Sequence, residues 1–138
     1  MSQDPASRAV VLVVDDEAAI RRVVRRVLES YWYEVVEASS GEEGLHVFRD
    51  LLRLDLVIAD LVMPGLQGDE MVQRISAQRP HVKVLYVTGY ADTLFDRLGT
   101  LPKGQAFLDK PLTADGLAEA VSLLLYGTIW TPPWSPAQ

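Results

Sequence analysis

Apolar residues follow two patterns along the chain: short unbroken β-branched runs, and longer stretches where they recur every third or fourth position. Val10 to Val14 (VVLVV) is unbroken and is stopped by Asp15-Asp16-Glu17. Such a run suits a strand buried on both faces. Leu56 to Ala59 (LVIA) repeats it and stops at Asp60, and Val82 to Val87 (VKVLYV) stops at Thr88-Gly89. Ala106 to Leu108 is a weaker copy ahead of Asp109-Lys110-Pro111, and Tyr33 to Ala38 (YEVVEA) ends in serines.

Helical spacing fills the gaps. Ile20, Val23, Val24, Val27 and Leu28 form one apolar stripe, with Arg21, Arg22, Arg25 and Arg26 opposite, as in an amphipathic helix. Ser40 to Glu43 (SGEE) reads as a capping box ahead of Leu45, Phe48, Leu51 and Leu52, so a second helix is expected to begin near Gly41. A third is expected from about Gly68 to Gln78, before Pro80, and a last one behind a Thr113 cap with Leu117, Ala120, Val121, Leu124 and Leu125 as its stripe. Between Asp92 and Gly104 the apolar positions are sparse and Gly99, Pro102 and Gly104 interrupt them, which predicts a short or irregular helix.

Alternating strands and helices imply a parallel sheet with right-handed crossovers and helices on both faces. Five such units in 138 residues make one domain, and an apolar fraction of 49% supplies its core. With no glycine-rich dinucleotide turn, the expected fold is a flavodoxin-like, doubly wound five-stranded parallel sheet of order 2-1-3-4-5. Ligands bind such sheets beyond the carboxyl ends of the strands at the switch point between the first and third strands. Those ends here carry Asp15, Asp16 and Asp60.

Three carboxylates brought together repel, and one takes up a proton unless a cation joins them. A hard divalent ion is the natural partner, and Mg²⁺ favours one or two carboxylates plus water and phosphoryl oxygens. Asp16 and Asp60 are the expected direct ligands, with Asp15 acting partly through water. An Asp can also attack a phosphoryl group to give an acyl phosphate. Such transfer asks mainly for alignment and for neutralising charge, which suits Lys110.

The motifs VVLVVDDE, LVIADLVMPGLQG, VLYVTGY and AFLDKP, in that order and spacing, make the chain resemble a response-regulator receiver domain of two-component phosphorelays, from about Val10 to Leu125. The resemblance implies Asp60 as phosphoacceptor, Mg²⁺ or Mn²⁺ as cofactor, and the Val62 backbone carbonyl as a further metal ligand. It also implies a cis Lys110-Pro111 bond that aims the lysine. Thr88 is expected to give its hydroxyl to a phosphoryl oxygen, and Phe107, three residues before the lysine, stands where the family has its switch aromatic. Many members carry tyrosine there, and a phenyl ring keeps the packing while losing the hydroxyl's contacts. Val62 and Tyr90, two residues past Asp60 and Thr88, would flank an attacking water, and their bulk implies slow self-dephosphorylation.

Plainer roles stand beside these. Glu17 reads as a helix cap or first-turn charge favoured by the helix dipole. The arginine face reads as a solvated face, with docking of a phosphodonor as the rival. His46 and His81 read as surface residues, so the donor histidine is expected from a histidine kinase or histidine phosphotransfer protein, and the signal is expected to pass to an unspecified downstream protein.

A net charge of -6 and a pI near 4.8 argue against nucleic acid as a partner. The absence of cysteine excludes disulfides, thiol catalysis and zinc-thiolate sites. No run reaches membrane-span length and the start MSQDPASR is not expected to be a leader, so a cytoplasmic location without membrane contact is expected. The receiver unit is expected over 1–127 and a proline- and tryptophan-containing tail over 128–138, with Trp130 and Trp134 as docking peptide, linker or plain terminus. VTGYADTLF and AFLDKPLTADGL resemble receivers of hybrid histidine kinases, so either a stand-alone regulator or part of a larger protein is expected, with at most weak homodimerisation. The reading is of a signalling domain rather than an enzyme. Its rivals are a phosphorylation-independent interaction domain and an Asp-nucleophile phosphatase, the latter disfavoured because Asp15-Asp16-Glu17 lacks a DxD spacing.

Overall fold

The computed structural model describes residues 8–129, and within them each apolar run forms the core of a strand. The elements are β1 (Val10–Val14), α1 (Ala18–Ser30), β2 (Glu34–Ala38), α2 (Gly41–Asp50), β3 (Leu56–Ala59), α3 (Gly68–Gln78), β4 (Lys83–Thr88), α4 (Ala91–Leu98), β5 (Gln105–Asp109) and α5 (Ala114–Tyr126). All neighbouring strands are parallel and the order is β2-β1-β3-β4-β5, as expected.

The sheet divides the core in two, because successive side chains of a strand point to opposite faces. Leu12, Val14, Val57 and Ala59 pack with Leu45 and Phe48 of α2 and Met71 and Ile75 of α3. Val11, Val13, Leu56 and Ile58 pack with Val24 and Leu28 of α1 and Leu117 and Val121 of α5. Burial on both faces is why β1 and β3 are apolar without interruption, whereas β2, at an edge, has exposed Glu34 and half-buried Glu37.

Three strand starts differ from expectation: β5 runs from Gln105 to Asp109 rather than from Ala106 to Leu108, and β2 and β4 each begin one residue later. The Tyr33 amide donates to the Leu28 carbonyl at 3.1 Å and so closes the end of α1, leaving Glu34 to begin β2. The Val82 amide donates to the Arg79 carbonyl at 3.2 Å, so β4 begins at Lys83 and reaches Thr88. α4 is short, as expected, but regular, and it stops where Gly99 takes φ 69°.

The predicted side-chain caps form, but the Ser40–Glu43 capping box is not closed, because Glu43 Oε1 accepts the Ser39 amide at 2.6 Å rather than that of Ser40. Ser40 Oγ accepts the Glu43 amide and Thr113 Oγ1 accepts the Gly116 amide, each at 3.0 Å. Gly127, with φ 71°, ends α5. Trp130, Trp134 and the rest of the tail from 130 on lie outside the described residues.

Gly68, the first residue of α3, meets the backbone of Asp60 directly. A Cβ there would lie 1.9 Å from the Asp60 carbonyl oxygen, and the Gly68 amide donates to the Leu61 carbonyl at 2.9 Å. No other residue type allows α3 to begin this close to the end of β3.

Candidate functional site

The residues after each strand are held by one further step of the sheet ladder. The Asp15 amide donates to the Ala38 carbonyl at 3.2 Å, the Asp60 amide to the Val14 carbonyl at 3.0 Å, and the Lys110 amide to the Thr88 carbonyl at 3.0 Å. Extension of the backbone pairing therefore fixes where these side chains start. Carboxylate oxygens of Asp15, Asp16 and Asp60 lie within 4.8 Å of one another. Asp15 and Asp60 are 2% and 5% exposed, whereas Asp16 faces solvent.

Lys110 closes the group. Its Nζ lies 3.1 Å from Asp60 Oδ2, 3.2 Å from Asp15 Oδ2 and 3.2 Å from Glu17 Oε1. Burial disfavours the charge on Lys110, but the hydrogen bond to Asp60 and the charges of Asp15 and Asp60 outweigh it and raise its pKa. Burial likewise pushes both aspartates above the ordinary carboxylate value. The Glu17 amide and Lys110 pull Asp15 back, and Lys110 pulls Asp60 back. The Lys110-Pro111 bond is cis.

Two expectations need correction here. Glu17 occupies the N-cap of α1 but makes no side-chain cap hydrogen bond; its carboxylate pairs with Lys110 instead. The arginine face is only partly solvated, because Arg21 donates to the Asp15 carbonyl at 2.7 Å and Arg21 and Arg25 both pair with Glu37 of β2. Arg22 and Arg26 are exposed, as are His46 and His81.

The remaining candidates border the acidic group. The Val62 amide donates to Asp60 Oδ1 over a long 3.4 Å. Thr88 is fully buried at the end of β4, and its Oγ1 accepts the Tyr90 amide at 2.9 Å. The Tyr90 side chain is exposed. Phe107, half-buried on β5, meets Phe95 of α4 edge-on, with ring centroids 5.1 Å apart and planes at 88°. Phe95 was not singled out from the sequence, and an apolar residue amid Gly and Pro interruptions carried no signal of this contact.

The donor set suits a hard divalent cation. Four carboxylates, those of Asp15, Asp16, Asp60 and Glu17, face one ammonium, and two of the four are buried with raised pKa values. A second cation beside Asp15, Asp16 and Asp60 would relieve that excess with oxygen ligands of the kind Mg²⁺ takes.

A family model described as the response regulator receiver domain matches residues 11–122. The chain is 36% identical over 123 residues to the sensor kinase CckA of Brucella abortus, covering 88% of this chain and 13% of that protein. It is 34% identical over 121 residues to the transcriptional regulatory protein YrkP of Bacillus subtilis, covering 87% of this chain and 51% of that protein. The chain thus spans an eighth to a half of these relatives. Among solved structures it resembles the receiver domain of the hybrid histidine kinase CckA, at 33% identity and a TM-score of 0.72 over 85% of this chain and 99% of that one. It also resembles the chemotaxis protein CheY4 of Vibrio cholerae, at 28% identity and a TM-score of 0.74 over 86% of this chain and all of that one. No described helix is long and apolar enough to cross a membrane.

Proposed function

The chain belongs to the response regulator receiver domain family, a family of two-component signalling, and from that premise we propose that Asp60 accepts a phosphoryl group from a phosphohistidine. The donor is a histidine kinase or a histidine phosphotransfer protein. One observation carries this reading: Lys110 Nζ sits 3.1 Å from a buried Asp60 carboxylate onto which Asp15 and Asp16 converge.

In the step, an Asp60 carboxylate oxygen forms a bond to phosphorus as the phosphorus-nitrogen bond of the donor breaks. The donor imidazole keeps that electron pair and, with a proton from water, leaves as neutral histidine. The chain's part is alignment and charge. Lys110 faces the incoming equatorial oxygens, and the ladder bond from its amide to Thr88 keeps it in place. Asp15, Asp16, Asp60 and the Val62 carbonyl would hold Mg²⁺ or Mn²⁺, which when bound supplies positive charge beside the phosphoryl oxygens.

Thr88 then donates its hydroxyl to a phosphoryl oxygen. That new bond draws the loop before α4 inward, and Phe107 follows by packing; a local contact of this kind biases a two-state element. Val62 and Tyr90 restrict access of water to the acyl phosphate, so Val62→Asn and Tyr90→Gly are expected to shorten the phosphoryl lifetime. The domain, proposed as residues 1–127 with the tail from 128, acts in the cytoplasm as a signalling unit rather than an enzyme with a separate substrate.

The test is incubation with Mg²⁺ and acetyl phosphate or a phosphorylated donor, followed by intact mass of the parent and Asp60→Asn. A single added phosphoryl group in the parent and none in the variant supports the reading. Turnover of phosphate esters would point to a phosphatase, and no adduct in the parent to an interaction domain without phosphorylation.

A further inference from the structure

α4 rests on little. Leu94 is its one buried side chain, Phe95 touches Phe107 only by an edge, and a cavity of about 170 Å³ lined by Asp69, Val72, Tyr86 and Leu98 lies under its last turn. Besides half-buried Leu98, which packs against the core, one polar contact holds α4: Arg97 Nη1 lies 3.1 Å from Asp69 Oδ1.

That pair joins an exposed arginine to a largely buried carboxylate. Asp69 belongs to the first turn of α3, where a carboxylate ordinarily faces water, yet it is only 8% exposed. Burial pushes the Tyr86 hydroxyl pKa up, and the nearby Asp69 charge adds to that. A buried carboxylate stripped of its partner is strongly unfavourable, so α4 and the first turn of α3 are expected to move together. That first turn has a second attachment, because Gly68 is pressed against the Asp60 carbonyl and bonded to Leu61. Backbone contact between Asp60 and Gly68, followed by the side-chain pair of Asp69 and Arg97, therefore links Asp60 to α4.

We propose that Asp69 and Arg97 are positioning residues that couple Asp60 to α4 through α3, in parallel with Thr88. The inference rests on the reading of Asp60 as phosphoacceptor. Any backbone displacement at Asp60 on acquiring a phosphoryl group bears on Gly68, and the ion pair passes it to the last turn of α4, where the cavity leaves room for movement. Coupling of this sort needs an element with two arrangements that both sites bias, and the thinly seated α4 supplies it.

Amide hydrogen exchange of residues 91–98, before and after acetyl phosphate with Mg²⁺, tests the coupling in the parent, Arg97→Gln, Arg97→Lys, Asp69→Asn, Thr88→Ala and Thr88→Ala with Arg97→Gln. Intact mass is read first on each sample. A parent that takes no phosphoryl group overturns the phosphoacceptor reading itself. With uptake intact, Arg97→Gln and Asp69→Asn are each expected to cut the phosphorylation-dependent change in α4 exchange by about threefold, the size of a part-exposed ion pair. Arg97→Lys restores it, and Thr88→Ala keeps a residual response that the double variant loses. A response equal to the parent's in Arg97→Gln, no restoration by lysine, or complete loss in Thr88→Ala alone would overturn the second line.

Discussion

In β1 and β3 every residue is buried, whereas β5 has none buried and α4 has one. The first pair of strands is followed by Asp15 and Asp60, proposed above to hold the chemistry. The second region carries Phe107 and adjoins Thr88, proposed above to report it. Local opening is least costly where few apolar contacts and little burial oppose it, so the same sheet presents a firmly held pair of central strands and a lightly held edge. A carboxylate cluster that must keep its geometry belongs on the former, and a surface that must change belongs on the latter.

Substitutions of equal chemistry can break this contrast. Leu12 and Leu94 are both fully buried, yet their truncations should differ. Leu12→Ala in β1 is expected to cost about 3 kcal/mol in urea denaturation, with exchange accelerated throughout the sheet. Leu94→Ala is expected to cost about 1–2 kcal/mol, because α4 can detach locally and the loss cannot exceed the free energy of that opening. Its exchange should quicken over residues 91–98 and stay unchanged in β1; a cost equal to that of Leu12→Ala would show α4 to be as integral as β1. Phe95→Ala is expected to cost least, about 0.5–1 kcal/mol, since it removes an aromatic edge contact from a residue already 41% exposed. A larger loss there than in Leu94→Ala would mean that the aromatic pair, rather than the leucine, seats the helix.

The central strands were legible because burial on both faces leaves an unbroken apolar run, as in VVLVV and LVIA. β5 was faint because it is an edge strand, paired on one side only, so its ends at Gln105 and Asp109 carry no apolar signature. The start of β2 was misplaced because Tyr33 is buried and apolar in character while its amide serves α1. Asp15, Asp60 and Lys110 were legible as residues that follow strands.

Glu17 was not, because its partner is 93 positions away in the chain, and nothing local distinguishes a capping acid from one that reaches across a sheet. The same holds for Asp69 and Arg97, 28 positions apart. Helix periodicity places a first-turn aspartate on a helix, but its burial depends on which neighbouring helix covers it.

The pairing of Thr88 with Asp109 makes the length of β5 a chemical parameter. An insertion within the strand that shifts the pairing by one residue would bring Asp109 to the place of Lys110, replacing the ammonium among the carboxylates with another acid. A deletion would bring Pro111, which has no N–H to offer the Thr88 carbonyl. The strand's residue count is therefore as constrained as any side chain it carries, and recombination between chains of this kind would tolerate crossovers in the neighbouring loops far better than inside β5.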